Sequence, residues 1–156
     1  MKSFSHVILL LSATAMAGCA ARDVQVSHVS SVAAGGLEVS VEIPKRDYTV
    51  GERFTVTVTA RNESDSPVEI IARGGAPVYL RLWRCGELGW EQIHRYPRAS
   101  TMLVMPWTLA AGQARSFPIV LAVEPDWPDG ELLKLTAEIN GRNELAPALT
   151  LNIHQF

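Results

Sequence analysis

The chain has 156 residues, 47% hydrophobic and 19% charged, with a formal net charge of −2; this suits one domain and is short for two. Without residues 1–18, which hold Lys2 and no acid, 13 basic and 16 acidic side chains remain. That balance argues against a nucleic-acid partner, because phosphate binding requires a clustered basic excess.

The first segment reads as an export signal. Met1–His6 carries Lys2, and Val7–Ala17 is an apolar stretch of 11 residues. A membrane-spanning helix needs about 20 apolar residues, so this stretch is too short to span and has the length of a signal h-region. Met16-Ala17-Gly18-Cys19 follows. It resembles the lipobox of bacterial lipoproteins, with Met16 where that family usually has Leu. The resemblance implies cleavage after residue 18, a diacylglycerol thioether on Cys19 and an acylated amine; more than one acyl chain suffices for stable anchoring. Ala20 after the cysteine implies sorting to the outer membrane in a Gram-negative envelope, facing the periplasm. The alternative is an ordinary secretory signal cut at Ala15-Met16-Ala17, leaving a soluble exported protein. The two cysteines are Cys19 and Cys85. A lipidated Cys19 leaves Cys85 without an intramolecular partner; an unmodified one permits a disulfide in an oxidising compartment.

Residues 19–36 read as the lipidated cysteine and a flexible Ala/Ser/Val tether ending at Gly35-Gly36, with a reach of about 20–25 Å. Residues 37–156 read as the folded domain. Leu37, Val39, Val41 and Ile43 alternate with Glu38, Ser40 and Glu42, the mark of a half-buried strand. Pro44 to Glu52 turns the chain into Arg53–Arg61, where Phe54, Val56, Val58 and Ala60 oppose three threonines. Asn62 to Pro67 is a polar turn. Strands are expected at Val68–Ala72, Val78–Arg84 and Gly89–Tyr96, with 97–108 irregular. Ala114–Val123 follows, its Pro118 marking an edge strand or a bulge. Leu133 to Ile139, an Asn140-Gly141 turn and Leu149 to Ile153 complete the chain. About eight short strands without a helical period predict an all-β, antiparallel β-sandwich of immunoglobulin-like type.

Tyr48-x-x-Gly51-Glu52, the alternation from Phe54 to Ala60, Asn62-x-Ser64-x-Ser66-Pro67-Val68 and Leu109-Ala110-Ala111-Gly112 together resemble the domain of the BsuPI-type proteinase inhibitors. The resemblance spans roughly residues 37–139 and implies the sandwich fold; inhibition through an exposed loop is the function it would carry. The lipobox followed by a sandwich, with Ala76 to Leu82, is also similar to the small outer-membrane lipoprotein of type VI secretion systems, which implies an accessory role in secretion.

Catalytic and metal constellations are not legible: there is no G-x-S-x-G elbow, no H-E-x-x-H and no C-x-x-C, and His28, His94 and His154 are widely spaced. No enzyme activity, cofactor or metal is expected. Cys85 at a hairpin tip reads either as a thiol activated by Arg84 or as a small residue tucked beneath the turn. If Arg84 pairs with Gly89 across a four-residue loop, Tyr79, Arg81, Trp83, Trp90, Gln92 and His94 share one sheet face, while Leu80, Leu82 and Ile93 face the core. Trp, Tyr and Arg dominate binding hot spots, so this strip is the candidate binding surface; the competing reading is cross-strand stabilisation. Trp107 and Trp127, in Pro-rich loops, are expected to plug one end of the sandwich. The expected function is a lipid-anchored, non-catalytic envelope module that binds a protein or a glycan. A proteinase inhibitor acting through loop 97–108 is the alternative.

Overall fold

A computed structural model describes residues 27–155. The expected export signal, the expected lipidation site Cys19 and residues 20–26 lie outside the described residues. Eleven strands are present: β1 (His28–Ala34), β2 (Leu37–Ile43), β3 (Asp47–Thr49), β4 (Arg53–Asn62), β5 (Val68–Arg73), β6 (Val78–Gly86), β7 (Gly89–Tyr96), β8 (Val104–Leu109), β9 (Ala114–Ala122), β10 (Leu132–Ile139) and β11 (Ala148–His154). The described residues contain no helix.

The alternating residues behave as their period requires. Leu37, Val39, Val41 and Ile43 of β2 are fully buried, as are Val56, Val58 and Ala60 of β4. They face Leu133, Leu135, Ala137 and Ile139 of β10, Leu151 and Ile153 of β11, and Leu80 and Leu82 of β6 in one core. Burying each large aliphatic side chain stabilises the fold by about 1.5–3 kcal/mol, which is why a one-residue slip in any of these strands is excluded.

One sheet has the order β1-β2-β4-β9, the other β3-β11-β10-β6-β7, and β5 and β8 form a separate ribbon. All pairings are antiparallel except β3 with β11. The β2-β4-β9 order matches strands A, B and E of an immunoglobulin sandwich, and β11-β10-β6-β7 matches G, F, C and C′. Pro118 sits on β9, an edge strand, as its missing N–H demands.

Three strands exceed the eight expected, each for a physical reason. Residues 28–34 are strand β1 rather than tether, paired with β2 from His28↔Ile43 to Ala34↔Leu37. Gly35 and Gly36, at φ 58° and 75°, make the two-residue turn that joins the strands. The Gly-Gly pair therefore marks a hairpin, and the sandwich begins at His28. β3 is three residues long, too short to show a period. β8 carries Pro106, which a two-stranded ribbon tolerates because both of its strands are edges.

Candidate functional site

The strip predicted on the β6–β7 hairpin lies on the outer face of the five-stranded sheet, in a different register. The hairpin closes across Glu87-Leu88, with Gly86 opposite Gly89, and Gly89 at φ 117° supplies the left-handed turn residue. The Arg84–Gly89 pairing is therefore not formed; Arg84 opposes Glu91, and the two side chains form an ion pair at 2.9 Å. Trp83 opposes Gln92 and Cys85 opposes Trp90. The slip is an even number of positions, so Trp83, Trp90 and Gln92 keep the expected face.

A bulge changes the far end. The register shifts between Leu82 and Trp83, leaving Ile93 as the extra residue of β7. Beyond it Leu82 opposes His94 and Arg81 opposes Arg95. His94 therefore leaves the strip, and Arg95 replaces it. The imidazole turns inward, 5.5 Å from the Trp127 ring. Burial holds its pKa below the usual histidine value, with the nearby Glu124 carboxylate opposing the shift. His94 is a neutral packing residue at pH 7.

Strand β10 completes the face with residues that share no local sequence with the hairpin. Lys134 opposes Trp83, Thr136 opposes Arg81 and Glu138 opposes Tyr79. The Trp83 indole N–H donates to Thr136 Oγ1 at 2.9 Å. Lys134 Nζ stands 4.3 Å from the Trp90 ring centroid and 5.5 Å from that of Trp83, a shared cation–π contact. Arg81 donates to Glu138 Oε2 at 3.0 Å. The Arg95 guanidinium lies 4.6 Å over the Tyr79 ring, whose hydroxyl donates to the Arg73 carbonyl at 3.1 Å. Tyr79 is thereby 8% exposed and closed to a partner, whereas Trp90 is 44% exposed and Gln92 is open. The accessible site is Trp83, Trp90, Gln92 and Lys134; Tyr79, Arg81, Arg95 and Glu138 form its buttress.

Cys85 is exposed on the same face beside Trp90, not tucked beneath the turn. Adjacent strand residues point to opposite faces, and the Arg84 guanidinium is engaged by Glu91 on the other side. Arg84 activation of the thiol is therefore not supported. Trp127 is 3% exposed within the core and plugs the sandwich as expected. Trp107 lies on β8 and packs edge-on to Phe117, with ring centroids 5.6 Å apart.

The loop expected at residues 97–108 is shorter: from Val104 the chain is strand β8, and only 97–103 are loop. Its flanks are tied to one glycine: Thr101 N–H donates to the Gly74 carbonyl at 3.0 Å, and Gly74 N–H donates to the Leu103 carbonyl at 2.9 Å. Met102, between these ties, is fully exposed, and Leu103 is 61% exposed. Nothing in the local sequence announced this clamp, because Gly74 reaches it from the preceding ribbon. Among the described residues no three His, Cys, Asp or Glu side chains group as metal ligands.

No protein-family model and no curated protein matches the chain. Among solved structures it is similar to Spo0M, the sporulation control protein of Bacillus subtilis, with a TM-score of 0.52 and 16% identity over 78% of this chain and 50% of that one. It is also similar to the alkylpurine DNA glycosylase AlkC of Pseudomonas fluorescens, with a TM-score of 0.50 and 10% identity over 76% of this chain and 30% of that one. The chain thus spans half or less of these proteins, and at such identities the likeness extends to the β-rich fold alone.

Proposed function

We propose that this chain is a lipid-anchored envelope protein acting without chemistry of its own, and that it binds a partner protein through the Trp83–Trp90 face. The carrying observation is the exposed, preorganised group of Trp90, Gln92 and Lys134 on a rigid sheet. A large aromatic with few rotamers loses little entropy on docking, and the Lys134 contact fixes its position in advance. A protein fits this face better than a glycan: sugar stacking needs an open ring face, and Lys134 occupies one while the Trp83 N–H is already satisfied by Thr136. Placement at the outer membrane follows from the lipobox resemblance and Ala20.

A photo-crosslinking side chain at Gln92, with Thr57 on the opposite sheet as control, tests the reading in the native envelope. The expected result is a discrete protein adduct from position 92 that Trp90→Ala abolishes. Because Trp90 is surface-exposed, Trp90→Ala changes stability by less than about 1 kcal/mol. Half-buried Trp83 loses a hydrogen bond and packing, so Trp83→Ala costs about 2 kcal/mol. Retention on purified peptidoglycan that depends on Trp90, without an adduct, would move the site to the glycan reading.

A specific observation favours a second reading, proteinase inhibition. An inhibitory loop must protrude and be held rigid, and Thr101-Met102-Leu103 is clamped on both flanks to Gly74 with Met102 at its tip. It predicts inhibition of proteases that accept an apolar side chain at the scissile position, lost in Met102→Asp; intact passage of the loop through such a panel without inhibition removes it.

A further inference from the structure

The two main sheets have four edges, and three carry features that discourage further pairing. β3 is only three residues long, β9 contains Arg115 and Pro118, and β7 has the bulge together with Glu91 and Arg95. β1 has none of these. Its seven residues, His28 to Ala34, include no proline and no Lys, Arg, Asp or Glu. It pairs with β2 at seven consecutive positions without a bulge, and β2 is its only hydrogen-bonded partner among the described strands, although β11 of the facing sheet also lies close to it. The outer edge of β1 is thus an unbulged row of backbone donors and acceptors with no strand partner, on a strand whose residues from Ser31 to Ala34 are all exposed.

The side chains beside that edge indicate what would lie there. On the outer face Val29, Ser31 and Ala33 are small and exposed, and next to them on β2 stand Glu42, Ser40 and Glu38. Neither glutamate is in an ion pair among the described residues. They are four positions apart on one strand, so they repeat at the spacing of residues i and i+4 of an added strand. Such a strand would lie about 10 Å from β2, two strand spacings, which a lysine or arginine can bridge across small side chains.

We propose that β1 is an acceptor edge for an extended segment of a partner protein, which adds as the fifth strand of this sheet with basic residues at i and i+4 aligned to Glu38 and Glu42. Backbone hydrogen bonds supply affinity and the two carboxylates supply register and specificity. This surface lies on the opposite sheet from the Trp83–Trp90 face and does not rest on that reading. A second copy of this chain is a poorer occupant: it would bring its own β1, which has no Lys or Arg to offer the glutamates.

The test uses the full mature chain in detergent and a capped peptide of about nine residues, valine alternating with serine, with lysines at its third and seventh positions. The expected result is binding that slows amide exchange in residues 28–34 and is abolished by N-methylation of alternate peptide residues. Glu38→Lys combined with Glu42→Lys weakens binding of this peptide at least about tenfold, and a peptide with glutamates in place of the lysines restores it. Unchanged exchange in β1, indifference to N-methylation or to charge reversal, or a dimer through β1 that excludes the peptide would each overturn the proposal.

Discussion

Asn62→Ala is expected to destabilise the domain by about 3–5 kcal/mol, seen as a lowered urea midpoint at unchanged slope. Asn62 is fully buried, yet polar. Its amide nitrogen donates to the carbonyls of Ser66 at 2.8 Å, Leu109 at 3.0 Å and Ala110 at 3.1 Å. Its side-chain oxygen accepts from the Ser64 N–H at 2.9 Å and the Ser64 hydroxyl at 2.7 Å. The backbone joins in, with Asn62 N–H donating to the Gln113 carbonyl and Gly112 N–H donating to the Asn62 carbonyl. One side chain thus clips the β4–β5 turn to the β8–β9 turn. Alanine leaves the buried Leu109 carbonyl and the partly buried Ser66 and Ala110 carbonyls without their donor, which costs more than the lost bonds themselves. Asn62→Asp separates donation from size: it keeps the shape and the Ser64 contacts but turns an anionic oxygen toward three carbonyls, so it should be at least as damaging as alanine. Ser64→Ala removes one side-chain bond and should cost about 1 kcal/mol. A drop below 1 kcal/mol for Asn62→Ala would show that the turns are held by their backbone bonds alone. Against a total stability of about 5–15 kcal/mol, the expected loss places the variant near the folding threshold.

What could be read from the chain before folding divides along a physical line. β2, β4 and β10 were legible because each buries one face of a long strand, so polarity alternates strictly. Asn62 was legible as a turn residue, since Asn, Ser and Pro cluster there, but its partners at 109 and 110 lie some 47 positions away and leave no local mark. β1 was illegible because its inward positions are only partly covered. Val32 is 37% exposed despite opposing fully buried Val39, so burial does not demand apolar residues at alternate positions and the segment looks like linker. On the candidate site, the aromatic pair was found by alternation, while His94 was misplaced by one bulged residue. Lys134, Thr136 and Glu138 were missed because strand pairing, not sequence neighbourhood, brings β10 beside β6. Gly86 and Gly89 flanking Glu87-Leu88 were the available signal for the two-residue hairpin.

Cys19→Ser is expected to move the protein almost completely from the membrane pellet to the soluble fraction, with intact mass showing acylation in the parent chain only. Met16-Ala17-Gly18-Cys19 resembles a lipobox, and each CH₂ of the acyl chains it implies contributes about 0.8 kcal/mol when buried. The fold sharpens the consequence. Because β1 starts at His28, only residues 20–27 separate Cys19 from the sandwich, and even fully extended they span at most about 29 Å. The start of β1 lies opposite Ile43, and that end of the sandwich also carries Pro44–Arg46 and the turn from Thr49 to Glu52. The strand registers place the Glu87-Leu88 tip and the Trp127 loop at the same end. An anchored molecule therefore holds this end toward the bilayer, with the fully exposed Leu88 leading and Met102 directed away from it. Inserting a flexible segment of about 20 residues after Ala20 preserves membrane fractionation but frees this orientation, so a crosslinker at Leu88 should lose its lipid adducts. An unacylated parent chain with its amino terminus at Gly18 would replace the anchored reading with a soluble exported protein, in which the Trp83–Trp90 face and the β1 edge are presented without a preferred direction.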